Sequence, residues 1–185
     1  MHSDTVIIFI EVVVEEGVEA IGGTASTTGY TFAYSKALTK VTLPKTLKEV
    51  GYYCFASCTA LERIDLLESL TTIRDSAFRY TSLISVYVPK NVTYLGGYSF
   101  AMITALTSIE FAEGIEALGY ETQAILGGYS GSVLYGCSSL VDVKLPSTLR
   151  HLGAQAFYGC KELEKIELPS GLTSIGNMAF YNCYN

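Results

Sequence analysis

The chain alternates apolar and polar residues over short stretches that return at nearly constant intervals. The alternation is clear at Val41 and Leu43. It recurs at Ile64 and Leu66, Val86 and Val88, Val143 and Leu145, and Ile166 and Leu168. A period of two residues indicates a short β-strand with one buried face. We therefore expect one such strand at each recurrence, and we expect these strands to stack in parallel.

Alignment of these stretches reveals a repeat of about 23 residues. Units of 23 residues begin at Leu38, Leu83, Leu140 and Leu163, and a unit of 22 residues begins at Leu61. Such units cannot bury their apolar faces alone, so their stability depends on stacking against neighbours.

Two further units are lengthened by insertions, which span residues 23–30 and 119–132. We expect residues 1–8 to be a tag or an N-terminal extension, and residues 9–185 to form a single solenoid. Its seven predicted units are 9–37, 38–60, 61–82, 83–105, 106–139, 140–162 and 163–185.

Three repeat positions explain how each turn is built. All four prolines directly follow a predicted strand, where the missing N–H ends the ladder. Glycine follows a second apolar pair, in a turn that needs a positive φ or a close backbone approach, and only Arg74 departs from this rule. An Ala-Phe pair or a variant then supplies one large aromatic per turn. We predict a buried stack of Phe55, Phe78, Phe100, Phe157 and Phe180.

The spacing I-x-L-P, followed by I-G-x-x-A-F-x-x-C, resembles the BspA-like leucine-rich repeats of bacterial and some protist cell-surface proteins. The resemblance covers nearly the whole chain. It implies an α/β-type repeat solenoid, a right-handed superhelix with one short parallel strand per turn and irregular or short helical turns opposite. It also implies an exported protein, often part of a longer chain, with adhesion to host matrix proteins in several members. It brings no catalytic residues.

Composition narrows the possible partners and location. The formal charge is −6 with only 12 Lys and Arg among 185 residues, which argues against a nucleic-acid partner. No apolar stretch approaches the roughly 18 residues of a membrane span, so we expect no membrane insertion. The first apolar run lacks a basic flank and is broken by Glu11, unlike a signal peptide. We expect an extracellular or cell-surface protein if the export signal lies outside this chain, and a cytosolic one otherwise.

No set of side chains suggests catalysis, a metal or a cofactor. Four of the five cysteines share one repeat position, so turns stacked about 4.8 Å apart would lay their sulfurs in a line. They are Cys58, Cys137, Cys160 and Cys183. Cys54 takes a small core position, and His2 and His151 provide no Ser/His/Asp or Cys/His arrangement. We therefore predict a non-enzymatic protein with reduced, metal-free thiols.

Candidate partner-binding residues lie in the insertions and on the strands. The insertions are rich in Gly, Ser, Thr and Tyr, which suit adaptable contacts, and they include Tyr30, Tyr120 and Tyr129. Tyr87 and Glu110 occupy variable outward positions of the strands, which serve many solenoids as a recognition face. The alternatives are that the tyrosines flank the phenylalanine stack, that the strand charges only solvate the sheet, and that the insertions have no role.

Two functions remain open at this point. The first is a scaffold for protein or glycan binding, in surface adhesion or host interaction. The second is an architectural stalk or spacer within a longer surface protein. The last unit finishes where the next leucine would begin, with no polar cap, which predicts either a fragment of a longer array or self-association through an open C-terminal turn.

Overall fold

The chain forms a solenoid of short parallel β-strands. The computed structural model describes residues 10–23, 29–119 and 131–184, and these ranges contain twelve strands and no α-helix. Accordingly, they contain no helix suited to crossing a membrane. The strands are β1 (Glu11–Val13), β2 (Ala20–Ile21), β3 (Lys40–Thr42), β4 (Glu49–Val50), β5 (Thr72–Ile73), β6 (Ser85–Val88), β7 (Tyr94–Leu95), β8 (Ser108–Phe111), β9 (Ala117–Leu118), β10 (Asp142–Lys144), β11 (His151–Leu152) and β12 (Ser174–Ile175).

The strands form two parallel ladders along the solenoid. The first ladder, which carries the predicted alternation, consists of β1–β3 and of β6–β8–β10. The second consists of β2–β4–β5–β7 and of β9–β11–β12. Equivalent repeat positions are in register, so that Val86 lies beside Ile109 and Ile109 beside Val143. The predicted solenoid of parallel strands is therefore confirmed. The strands predicted at Ile64 and Leu66 and at Ile166 and Leu168 are wrong, because these described segments form no ladder.

The second ladder is an addition to what the alternation predicts. Each of its strands has two residues, as in Glu49–Val50, where Val50 is buried and Glu49 is partly exposed. Two residues are too few to display a period of two, so only contacts between turns define these strands.

The side of the solenoid that carries the Ala-Phe pairs, here called the turn face, consists of linked turns. Positive φ angles recur two residues before and two residues after the phenylalanine, as at Tyr53 (52°) and Ser57 (60°). The Phe55 amide donates to the Ala77 carbonyl oxygen of the next turn at 2.8 Å, whereas the Ala56 amide donates within its own turn. This alternation ties neighbouring turns together and is incompatible with an α-helix, whose amides all point along one axis. The turn face comprises residues 30–36, 53–59, 76–82, 98–104, 132–138, 155–161 and 178–184.

A stack of phenylalanine rings fills the core beneath the turn face. The centroids of Phe55 and Phe78 are 5.4 Å apart, and those of Phe78 and Phe100 are 5.2 Å apart, with planes within 9°. Phe157 and Phe180 stack at 5.4 Å. Four of the five predicted members are fully buried, and Phe180, on the last described turn, is partly buried.

The stack also has two features that the repeat spacing does not reveal. Phe32 stacks on Phe55 at 5.4 Å and extends the stack into the first unit. Leu134 takes the phenylalanine position of a later turn, where it is fully buried and separates Phe100 from Phe157. The insertions hide both positions because they displace them from the regular 23-residue spacing.

The glycines that follow the second apolar pair serve two purposes. Gly22 and Gly119 have φ angles of 88° and 84°, a left-handed conformation that side chains disfavour, and both stand where an insertion starts. Gly51 and Gly153 instead touch the neighbouring turn. A Cβ at Gly51 would lie 2.7 Å from a carbonyl oxygen, and one at Gly153 would lie 2.6 Å from a Cα atom. Stacking of the turns requires the missing side chain at these two positions.

Candidate binding surfaces

The outward side chains of β6, β8 and β10 form a polar surface, here called the strand face. In the strand register, Tyr87 lies beside Glu110, and Glu110 lies beside Lys144. The Lys144 Nζ atom donates to Glu110 Oε1 at 2.8 Å, which raises the pKa of Lys144. A shallow depression of about 240 Å³ lies over these strands. Its polar lining residues are Ser85, Tyr87, Ser108, Glu110, Asp142 and Lys144.

The structure brings two of the sequence-predicted site residues together and places a third elsewhere. Tyr87 and Glu110 share the strand face, and Tyr87 is 46% exposed. Tyr30 lies on the turn face, where it stacks on Tyr53 with ring centroids 4.7 Å apart. Tyr120 and Tyr129 lie outside the described residues.

A groove marks an interruption of the first ladder. Among the described residues, β3 pairs with β1 only, and residues 61–67 form no strand although they carry the same alternation. The open groove between these two segments has a volume of about 1020 Å³. Its lining contains three acidic and three basic side chains, so it offers no net charge to a ligand. They are Glu16, Glu62, Asp65, Lys40, Lys45 and Arg63.

Tyrosines of the turn face stack on one another beside the phenylalanines. The ring centroids of Tyr135 and Tyr158 are 4.6 Å apart, and those of Tyr158 and Tyr181 are 5.2 Å apart. Tyr98 meets Tyr135 at 5.8 Å with a tilt of 60°. These rings flank the phenylalanine stack, which is the alternative expected for the tyrosines. The sequence analysis does not predict a role for Tyr135. A signal for it exists, since tyrosine follows the phenylalanine position in three successive units.

Arg74, the residue that replaces a repeat glycine, fastens three turns together. Its Nε and Nη2 atoms donate to the two carboxylate oxygens of Glu49 at 2.8 and 3.2 Å. Its guanidinium carbon lies 5.6 Å from the Tyr52 ring centroid and 5.4 Å from that of Tyr94. Desolvation raises the pKa of Tyr94 to about 12. The cluster links neighbouring turns and is not an open binding site.

The cysteine position has a hydrogen-bonding role. The Sγ atom of Cys58 donates to the Phe32 carbonyl oxygen of the preceding turn, and Cys137 donates in the same way to Phe100, both at 3.1 Å. Burial raises the pKa of Cys58 to about 11 and that of Cys137 to about 12, which favours the neutral thiol donor. Within the described part of the chain, no three His, Cys, Asp or Glu side chains lie close enough to share a metal ion.

The parallel ladders and the stacked core define a leucine-rich repeat solenoid. A family model described as the BspA type leucine rich repeat region matches residues 25–123 and 130–185, in six copies. The chain therefore belongs to the BspA-type leucine-rich repeat family. No curated protein matches its sequence.

Solved structures agree with this fold. A leucine-rich repeat protein from Bacteroides ovatus is 26% identical with a TM-score of 0.80, and the match covers 93% of this chain and 40% of that protein. A leucine-rich repeat protein from T. pallidum is 23% identical with a TM-score of 0.55, and the match covers 85% of this chain and 79% of that protein. One from Eubacterium ventriosum is 24% identical with a TM-score of 0.55, and the match covers 94% of this chain and 42% of that protein. The chain thus spans less than half the length of two of these proteins.

Proposed function

We propose that this chain is a non-enzymatic binding scaffold, exposed at or beyond the cell surface, that holds a protein or glycan partner on its strand face. The observation that carries the proposal is the depression over β6, β8 and β10. It combines an exposed tyrosine with hydroxyl groups and an exposed ion pair on paired strands. Tyrosine on a rigid support gives contact area at a low entropy cost, and polar neighbours give orientation.

The electrostatics of this face favour a polar partner over an apolar one. Glu110 and Lys144 already satisfy each other, so a partner need not neutralise a buried charge. Ser85, Ser108 and Asp142 add hydroxyl and carboxylate groups within the same depression. A partner would therefore gain most of its affinity from packing on Tyr87, with hydrogen bonds to its neighbours.

The two insertions are the second element of the proposed binding function. They begin at or directly after two equivalent repeat glycines, Gly22 and Gly119, which follow β2 and β9. Four turns separate them, or roughly 19 Å at the usual spacing of parallel strands, which lies within the span of one ordinary interface. Tyr30, Tyr120 and Tyr129 are the proposed contacts of this region.

The test is capture of extracellular matrix proteins and a glycan array by the immobilised protein. Once a ligand is retained, Tyr87→Ala should weaken binding by about tenfold or more, because a central tyrosine often dominates an interface. Thr42→Ala, at the equivalent exposed position of β3, is the matched control and should leave affinity unchanged. Deletion of residues 120–130 tests the insertions, and unchanged affinity would remove them from the proposal. No retained ligand from either source would favour the alternative, an architectural stalk or spacer.

Exposed apolar residues on the last described turn favour self-association as part of either role. Leu168, Ile175 and Met178 are 42%, 50% and 47% exposed. Stacking of this turn on a second copy would cover them and would extend the second ladder from the edge of β12. Sedimentation velocity should show concentration-dependent oligomers that Ile175→Glu abolishes. Ile84→Glu, which is 40% exposed on a central turn, should have no effect. A monomer at all concentrations would contradict self-association.

A further inference from the structure

The turn face differs in composition from the rest of the chain. Its seven segments contain nine of the 14 tyrosines and none of the 18 Asp and Glu residues. Lys36, Arg79 and Lys161 are its only formal charges apart from chain termini. A chain with a net charge of −6 therefore presents one side that is rich in tyrosine and carries only positive charge.

Arg79 occupies the middle of this face between two tyrosine rings. Its guanidinium carbon lies 4.8 Å from the Tyr80 ring centroid and 5.0 Å from that of Tyr98. Tyr98 continues through Tyr135 into the stacked tyrosine row. Cation–π contacts on both sides fix the plane of the guanidinium group and reduce the entropy lost when it binds a ligand.

The hydrogen-bonding capacity of Arg79 is largely unused. Its Nη2 atom donates to the Tyr80 hydroxyl at 3.3 Å, and its buried Nε atom has no hydrogen-bond partner among the described residues. No ion pair joins Arg79 to a carboxylate anywhere in residues 10–23, 29–119 or 131–184. A guanidinium group has five N–H donors, and leaving them without acceptors in a partly buried position is unfavourable.

Arg74 shows the same arrangement with the acceptor in place. It also lies between two tyrosine rings, and its fork is filled by the Glu49 carboxylate. Arg79 has the two rings, but no described carboxylate pairs with it. The comparison with Arg74 indicates that the group missing at Arg79 is a carboxylate.

We propose that Arg79, Tyr80 and Tyr98 form a docking site for an Asp or Glu side chain of an extended segment in a partner protein. This site is separate from the strand face and does not depend on ligand binding there. A peptide carboxylate fits this site because a side-chain carboxylate fills the same fork at Arg74. A sugar would need an open aromatic face to stack on, and the Arg79 guanidinium already covers one face of each ring, Tyr80 and Tyr98.

The test is selection of random 12-residue peptides displayed on phage against the immobilised full chain. Selected peptides should be enriched in Asp and Glu, and they should bind Arg79→Gln about tenfold or more weakly, since a charge-assisted hydrogen bond is lost. Arg79→Lys should also weaken binding because it keeps the charge but loses the planar fork. Arg63→Gln removes an exposed arginine from the strand side and is the matched control, with unchanged affinity expected.

Circular dichroism of each variant separates loss of binding from loss of fold. Peptides without acidic enrichment, or acidic peptides that bind Arg79→Gln and wild type equally, would overturn the proposal. If acidic glycans on an array bind in an Arg79-dependent manner and peptides do not, the occupant is a glycan and the proposal fails. Tyr87→Ala should leave the peptide affinity unchanged. Failure of the function proposed for the strand face can therefore be distinguished from failure of the Arg79 site.

Discussion

Replacement of Phe78 by alanine is the most direct test of the stacked core. The ring is fully buried and packs on Phe55 and Phe100 with centroids 5.4 and 5.2 Å away. Because both neighbours belong to other turns, the substitution removes packing across two turn junctions at once.

The expected loss can be worked out from this geometry. A buried Phe→Ala substitution costs about 3–5 kcal/mol of unfolding free energy. Stacking contributes about 0.5–1.5 kcal/mol per aromatic pair beyond area burial, and Phe78 has two such pairs, so the upper part of the range applies. Phe180→Ala should cost about 1–2 kcal/mol, since that ring is partly buried and stacks on Phe157 alone among the described residues.

Urea denaturation followed by far-UV circular dichroism at low temperature would measure both losses. Phe78→Leu is the matched control and should cost about 1–1.5 kcal/mol, because Leu134 already occupies this repeat position in a buried turn. A loss below about 1 kcal/mol for Phe78→Ala would refute the stacked core. Equal losses for Phe78→Ala and Phe180→Ala would refute the argument from two junctions.

Four further outcomes are expected. At pH 8 a thiol reagent should label the native protein slowly and reach five thiols only after denaturation; fewer than five would reveal a disulfide. Burial raises the pKa of Cys58 from 9.0 to about 11, so between these pH values the thiol ionises in the unfolded chain before it ionises in the folded one. The free energy of unfolding should therefore be highest below pH 9 and should decline as the pH rises toward 11. A urea midpoint that stays constant across this range would contradict the prediction. Glu49→Gln should cost about 1–2 kcal/mol of unfolding free energy because it leaves the partly buried Arg74 unpaired. A double-mutant cycle with Arg74→Gln that shows no coupling energy would exclude this link between turns. Gly153→Ala should lower the thermal midpoint by several degrees, since its Cβ would lie 2.6 and 2.7 Å from backbone atoms of neighbouring segments; an unchanged midpoint would disprove that close approach.

The sequence could predict those parts of the fold in which one residue type repeats at one spacing. The alternation around Val41 and Leu43 identified the first ladder, and the Ala-Phe pairs identified the buried stack. The second ladder escaped because strands of two residues have no period of their own. The left-handed turn positions escaped because residues such as Tyr53 and Gln155 carry no glycine signal for a positive φ.

The binding surfaces could also be predicted only in part from the sequence. Tyr87 and Glu110 could be placed on one row because strand register follows directly from the repeat. Arg74 could be seen to depart from glycine, but its pairing with Glu49 depends on side-chain reach between turns, which spacing alone does not give. The cysteine position was recognised as a small core slot, whereas its hydrogen bond to the preceding turn required the geometry of the stacked backbone.

The interruptions of the two ladders fall at different places along the axis. The first ladder is broken beside residues 61–67, where the second remains paired from β4 to β5, and the second is broken between β7 and β9, where β6 and β8 remain paired. Under a stretching force, each junction between described turns is therefore held by at least one paired ladder. A regular turn that detaches would release about 23 residues, or roughly 75 Å of extended chain, and the two units with insertions would release more. Because the interruptions are staggered, the described turns contain no plane at which both ladders are open, and a pull along the axis must separate paired strands wherever a turn detaches.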